Sequence, residues 1–156
     1  MQSCPYPIEA LLPHAHPMIL IDGVTGWDEM RIETALRVRA DMPFFETGKG
    51  IAAHIAIEWM AQTCGAFVGL EARLAGLPPK IGFLLGTRAF RSNIAWFAEG
   101  SAITIHAEVK FRDNETGAFD CVVRLGGRDM AQATLILHQP ADVAAVLASQ
   151  GVSLPS

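Results

Sequence analysis

Hydrophobic and polar residues alternate along this chain with two different periods, and each period predicts a different element. Residues 31–39, RIETALRVR, put Ile32, Thr34, Leu36 and Val38 on one face and Glu33, Arg37 and Arg39 on the other. A period of two predicts a half-buried antiparallel strand. Four later runs also read as strands, at 81–90, 102–111, 119–125 and 131–138. Turn chemistry separates them at Glu99-Gly100, at 114–117 and at Gly126-Gly127. Another strand is expected over 18–24, and a short helix over 8–12 ended by Pro13.

The period changes at residues 51–70, IAAHIAIEWMAQTCGAFVGL, which are apolar on nearly every side of a helical wheel. Such a pattern predicts a helix buried inside something, running to about Leu74 and stopped by Gly76 and Pro78-Pro79. Within it His54, Glu58 and Gln62 recur every four residues. A step of four turns a helix by about 40°, so the three should line one polar stripe. Burying ionisable groups is costly unless they are paired or hydrated, which makes this stripe the first place to look for chemistry.

Strands, one long helix and then more strands exclude repeated βαβ units and predict the α+β class, an antiparallel sheet with one helix on it. A flat sheet covers only one side of a helix. A helix apolar all round therefore requires a sheet that curls around it, a second subunit over the remainder, or both.

Bulk composition narrows the function classes. The 156 residues are 51% hydrophobic and 18% charged, which excludes general disorder and suits one domain over 1–156, with a core at about 8–140 and a tail at 141–156. A formal charge of −4, with no basic cluster, argues against a nucleic-acid partner. Cys4, Cys64 and Cys121 have neither CxxC nor zinc-ligand spacing, which favours a reducing cytoplasm with Cys64 and Cys121 as core residues. The opening MQSCPYPIEALLPH lacks a basic start followed by an apolar run, so no secretory signal is expected. Segment 51–70 is long enough to span a bilayer, but His54, Glu58 and Gln62 near its middle argue against a membrane span. His54 and Glu58 would supply only two metal ligands and nothing completes a set, so neither metal nor cofactor is expected.

Several motifs resemble those of one family. Leu11-Leu12-Pro13-His14, then Pro17, then Leu20-Ile21-Asp22 look like the N-terminal motif of the hotdog-fold 3-hydroxyacyl-(acyl-carrier-protein) dehydratases. Pro43-Phe44-Phe45 is similar to that family's lead-in to its active-site loop, and Ile57-Glu58-Trp59-Met60-Ala61-Gln62 to its central-helix motif. Residues 86–91, GTRAFR, resemble the strand that carries basic residues near the tunnel mouth. The resemblance spans roughly residues 8–140. It implies a curved antiparallel sheet wrapped round one helix, and dimers whose active sites straddle the interface. It also implies removal of water from a 3-hydroxyacyl thioester on acyl carrier protein or coenzyme A. In that reaction a histidine of one subunit takes the C2 proton, and the helix acid of the other helps the C3 hydroxyl leave.

The resemblance carries the acid's role onto Glu58. It supplies no histidine, because the family's His-Phe-Pro-Gly interval here reads Glu46-Thr47-Gly48-Lys49-Gly50-Ile51-Ala52-Ala53. In this the chain looks closer to a divergent branch of dehydratase-like proteins from aryl-polyene-type pigment pathways, in which two unlike hotdog subunits pair. Either a homodimer or a heterodimer with another hotdog subunit is expected.

The residues themselves leave alternatives. Glu58 reads as a general acid or a water-orienting carboxylate, or else as a buried Glu held by a local hydrogen bond. His54 reads as a relocated base, as the orienter of Glu58, or as a capping histidine. Backbone N–H groups near Gly50, Ala52 and Ala53 could polarise a thioester carbonyl at the helix start. Gln62 is expected to bond near the acid, and Arg88 and Arg91 to meet an acidic carrier protein or its phosphopantetheine phosphate. His14 is read as forming a turn. An acyl-thioesterase on the same fold and a non-catalytic subunit that binds acyl carrier protein are the rival functions.

Overall fold

The computed structural model describes residues 1–79 and 82–139; the tail expected over 141–156 lies outside the described residues. The strands in chain order are β1 (Gly23–Trp27), β2 (Arg31–Arg37), β3 (Phe45–Glu46), β4 (Gly50–Ala52), β5 (Phe83–Ser92), β6 (Trp96–Phe97), β7 (Ala102–Arg112), β8 (Thr116–Leu125) and β9 (Arg128–His138). One long helix, α1 (Ala56–Leu74), separates β4 from β5, and short 3-10 turns lie at Ile8–Ala10 and Ala53–Ile55.

Six strands form one antiparallel sheet in the order β1-β2-β7-β8-β9-β5, and β3, β4 and β6 form a small second sheet. Alternation decides which side of the large sheet is buried. Ile32, Thr34 and Leu36 of β2, Ile103, Ile105 and Ala107 of β7, and Phe119, Cys121 and Val123 of β8 all face inward. Helix α1 lies across β2, β7, β8 and β9 and sends Trp59, Met60, Cys64, Phe67 and Leu70 into the same core. This is the hotdog arrangement, a curved sheet around one helix.

One polar contact inside that core is fully satisfied. The Thr63 hydroxyl donates to the carbonyl of Trp59 at 2.8 Å. It must therefore accept from the Thr34 hydroxyl, 2.7 Å away, because each hydroxyl has one proton. Nearby, the free thiols of Cys64 and Cys121 lie 3.6 Å apart. Burial, with Cys121 alongside, pushes the Cys64 thiol well up, and both side chains, fully buried, pack as small hydrophobes. A thiol reagent such as dithiobis-nitrobenzoate should label only Cys4 in the native protein and all three cysteines after denaturation.

Two expectations are corrected here. The helix begins at Ala56, not at Ile51. Ile51 is paired on both sides, with Phe45 and with Phe97, and Trp59 then packs its ring 5.0 Å from that of Phe97. The strand expected over 18–24 shrinks to β1, which starts only at Gly23. Leu20 and Ile21 are buried nonetheless, held by side-chain contacts instead of a ladder. Among the described residues no helix is long and apolar enough to cross a membrane.

Candidate active site

The site starts with the way residues 8–20 are laced along α1. Arg73 donates from Nε to the carbonyl of Ala10 at 2.7 Å. One turn back, Gly69 gives the backbone room: a Cβ there would fall onto the carbonyl of Leu11. Another turn back, Gly65 faces the side chain of Leu12. Gln62 completes the seam, accepting from the Leu20 amide at 2.9 Å and donating to the carbonyl of Met18 at 2.6 Å. Residues 13–17 are thereby held beside the first half of α1.

Between this segment, α1 and the rim of the large sheet lies a groove of about 270 Å³. Its helix wall is Glu58, Ala61, Gln62, Gly65 and Val68, over which α1 rises about 15 Å. Small residues there leave space for a chain-like ligand. The sheet wall is one row across four strands, in which Leu84 opposes Leu137, Leu137 opposes Gly117 and Gly117 opposes Arg112. All four line the groove, as does Phe119, whose ring meets Phe67 at 5.9 Å. At the far end Arg112 is fixed by two bonds to Glu71, of 2.7 and 2.9 Å, and lies over the Phe67 ring. Pro13 and His14 of the N-terminal segment also line the groove.

This groove accounts for the apolar stripe of α1 that the sheet leaves uncovered. Ala61, Gly65 and Val68 are only half-buried. It also corrects the expected buried polar stripe. Glu58, in the first turn of α1, and His54 are both exposed in the single chain; only Gln62 is buried. His54 belongs to the 3-10 turn ahead of the helix and is not among the groove-lining residues. Gly50, Ala52 and Ala53 also stay off the groove. The Ala53 amide already donates to the carbonyl of Ala95 at 2.9 Å, so it does not await a thioester carbonyl. A Cβ on Gly50 would strike the carbonyl of Phe97, so this glycine serves close packing in the small sheet.

Gln62 lines the groove, but both ends of its amide are spent on the chain. Gln62→Ala should cost roughly 1–3 kcal/mol, because a buried backbone amide loses its acceptor; urea unfolding measures it. Arg88 and Arg91 are exposed. They oppose Thr134 and Gln132 across a register shift in β5, which puts both arginines on the outer face, opposite to buried Ala133 and Leu135. A regular strand would set residues three apart on opposite faces. Neither arginine has an ion pair among the described residues. No group of three or more His, Cys, Asp or Glu side chains among those residues is placed to hold a metal ion.

Residues 6–148 match the family model of the ApeP-like proteins, described as ApeP dehydratase. The chain belongs to this family. This ApeP-like protein superposes on a chain of the dehydratase heterocomplex ApeI:P from Xenorhabdus doucetiae with a TM-score of 0.84 and 27% identity, covering 90% of this chain and 95% of that one. Two more distant structures share the fold. A hypothetical thioesterase with coenzyme A from Streptococcus pneumoniae TIGR4 gives a TM-score of 0.60 at 14% identity, covering 75% of this chain and 84% of that one. A protein of Streptococcus mutans UA159 bound to acetyl CoA gives 0.61 at 11%, covering 81% and 96%. No curated protein sequence matches the chain.

Proposed function

We propose that this ApeP-like protein is the acid-bearing subunit of a two-subunit dehydratase that removes water from a 3-hydroxyacyl thioester. The observation that carries the reading is Glu58. Its carboxyl stands in the first turn of α1, with no hydrogen bond or ion pair among the described residues, on a groove wall it shares with Ala61, Gln62, Gly65 and Val68. A carboxyl so placed can reach the C3 oxygen of an acyl chain lying along the helix and hand it a proton as the C–O bond breaks.

The partner is a second, unlike hotdog subunit, by likeness to the ApeI:P heterocomplex. The acyl group arrives on acyl carrier protein, with coenzyme A as the simpler carrier. Exposed Arg88 and Arg91, brought to one face by the β5 register shift, suit an acidic carrier surface or its phosphate. Three unpaired cysteines fit a reducing cytoplasm.

Protein mixed with a hotdog subunit co-encoded with it should convert 3-hydroxyoctanoyl thioesters of acyl carrier protein or coenzyme A to the enoyl form, read as loss of water by mass spectrometry. Release of free thiol without loss of water would make it a thioesterase. Inertness toward both carriers, alone and mixed, would leave a non-catalytic subunit.

A further inference from the structure

Regular alternation along β7 would turn Arg112 away from the helix. The inward residues of this strand are Ile103, Ile105 and Ala107, and a period of two continues them to Val109 and Phe111. A register shift against β8 between Val109 and Phe111 breaks that order. Phe111 is left exposed. Arg112 comes to oppose Gly117, two residues before inward-facing Phe119, and so joins the inner face. There its guanidinium lies 5.7 Å from the centre of the Phe67 ring and bonds both carboxylate oxygens of Glu71. Bulges re-aim side chains in this way, often beside active sites.

Arg112 thereby stands between two cavities. It lines the groove of about 270 Å³ that begins at Glu58. Beyond it lies a second pocket of about 150 Å³, lined by Trp27, Asp28, Glu29, Phe67, Leu70 and Glu71. Phe119 belongs to the groove and Phe67 to the pocket, and their rings meet at 5.9 Å. The partition is thus two contacts, a ring pair and an ion pair. Both rings are packed into the core. The ion pair is at the surface, its side chains 37% and 43% exposed, and pairs of that kind contribute only about 0–1 kcal/mol. It is the part of the partition that can open.

We propose that the Arg112–Glu71 pair determines how long an acyl chain this subunit accepts. The inference rests on the reading above, in which the acyl chain lies along α1 with its C3 at Glu58. From Glu58 to Glu71 the helix rises about 20 Å, so a chain pointing that way arrives at the pair. With the pair closed, a longer chain gains nothing. Its end stays in water, or it strips water from two charges and returns no hydrogen bond, which is costly. With the pair open, the groove joins the second pocket, where Trp27, Phe67 and Leu70 offer apolar surface to the chain end.

The test uses the chain with its hotdog partner and saturated acyl-coenzyme A esters from hexanoyl to hexadecanoyl, with Kd measured by titration calorimetry. Wild type should bind more tightly with each added methylene up to one length and then stop. Arg112→Ala should carry the tightening on for roughly two to four more carbons, at about fourfold in Kd per buried methylene. Because the substitution is in this chain alone, a moved cutoff belongs to its groove. Arg112→Glu combined with Glu71→Arg re-forms the pair in reverse and should bring the cutoff back. An unmoved cutoff in Arg112→Ala would overturn the inference, as would a loss of affinity by the same factor at every length. If Arg112→Ala fails to fold by circular dichroism, Glu71→Ala, which leaves the guanidinium unanchored, takes its place and the same readouts decide. A complex that shows the cutoff and its shift but dehydrates no 3-hydroxyacyl thioester would fail the dehydratase reading and leave the length determinant standing.

Discussion

Glu58→Gln should reduce turnover of a 3-hydroxyacyl thioester by about 10²–10⁴-fold, the usual contribution of a positioned proton donor. The amide keeps the size of the side chain and much of its hydrogen bonding but cannot deliver a proton to a leaving hydroxyl. Because Glu58 is exposed and touches no partner among the described residues, its loss should move stability by no more than about 0.5 kcal/mol. KM should change little, since the acyl chain would rest on Ala61, Gly65, Val68 and the sheet row beyond them. A drop confined to kcat with an unchanged Tm is thus the expected signature. Glu58→Asp should keep a fraction of the activity, because a carboxyl withdrawn by one methylene is misplaced by about 1 Å, an error that can cost on the order of 10²-fold. If Glu58→Gln left turnover intact, the carboxylate would be only a solvated first-turn residue.

Much of the fold could be read from local pattern. Strand β2 shows its buried face by strict alternation, and the inward positions Ile32, Thr34, Leu36 and Val38 are buried as that pattern requires. Gly100, Gly126 and Gly127 take positive φ at the turns where their residue type placed them. The start of α1 was not legible. Ile51 suits a buried strand as well as a buried helix, and only its pairing with Phe97, 46 positions on by sequence number, selects the strand. The two register shifts of β5 were equally hidden, since the GTRAFR run does not show that the shift between Arg88 and Arg91 will put both on one face.

The site was legible on one wall only. The spacing of Glu58 and Gln62 marked α1, but a helical wheel cannot tell which apolar stripe a sheet will leave open. Here the open stripe is the one bearing Ala61, Gly65 and Val68. The other wall depends on where residues 10–20 dock, which is set by Arg73, Gly69 and Gln62, far away in sequence. A histidine between prolines reads locally as turn chemistry. His14 becomes a groove-lining residue only when those three contacts lay its segment along α1.

Gly69→Ala should test that docking directly, with a large stability effect for a single methyl group. In the middle of α1 alanine is favoured over glycine by about 1 kcal/mol through backbone entropy alone, so local propensity predicts stabilisation. Packing predicts the opposite, because the added Cβ would fall onto the carbonyl of Leu11, which is backbone and cannot rotate away. Overpacking typically costs about 1–3 kcal/mol, occasionally more, and a clash with main chain belongs at the upper end. A net loss of about 2 kcal/mol corresponds to a Tm lower by roughly 4–8 °C for a chain of this size. Gly65→Ala is the matched control one turn away: its Cβ would meet only Leu12 Cδ2, at 3.3 Å, a side-chain tip that can give. That variant should be near neutral in stability. With Leu11 pushed off the helix, the segment that walls the groove would shift, so Gly69→Ala should also lose activity below its new Tm. An undiminished Tm in Gly69→Ala would mean that residues 8–20 do not lie along α1, and the groove would lose its second wall.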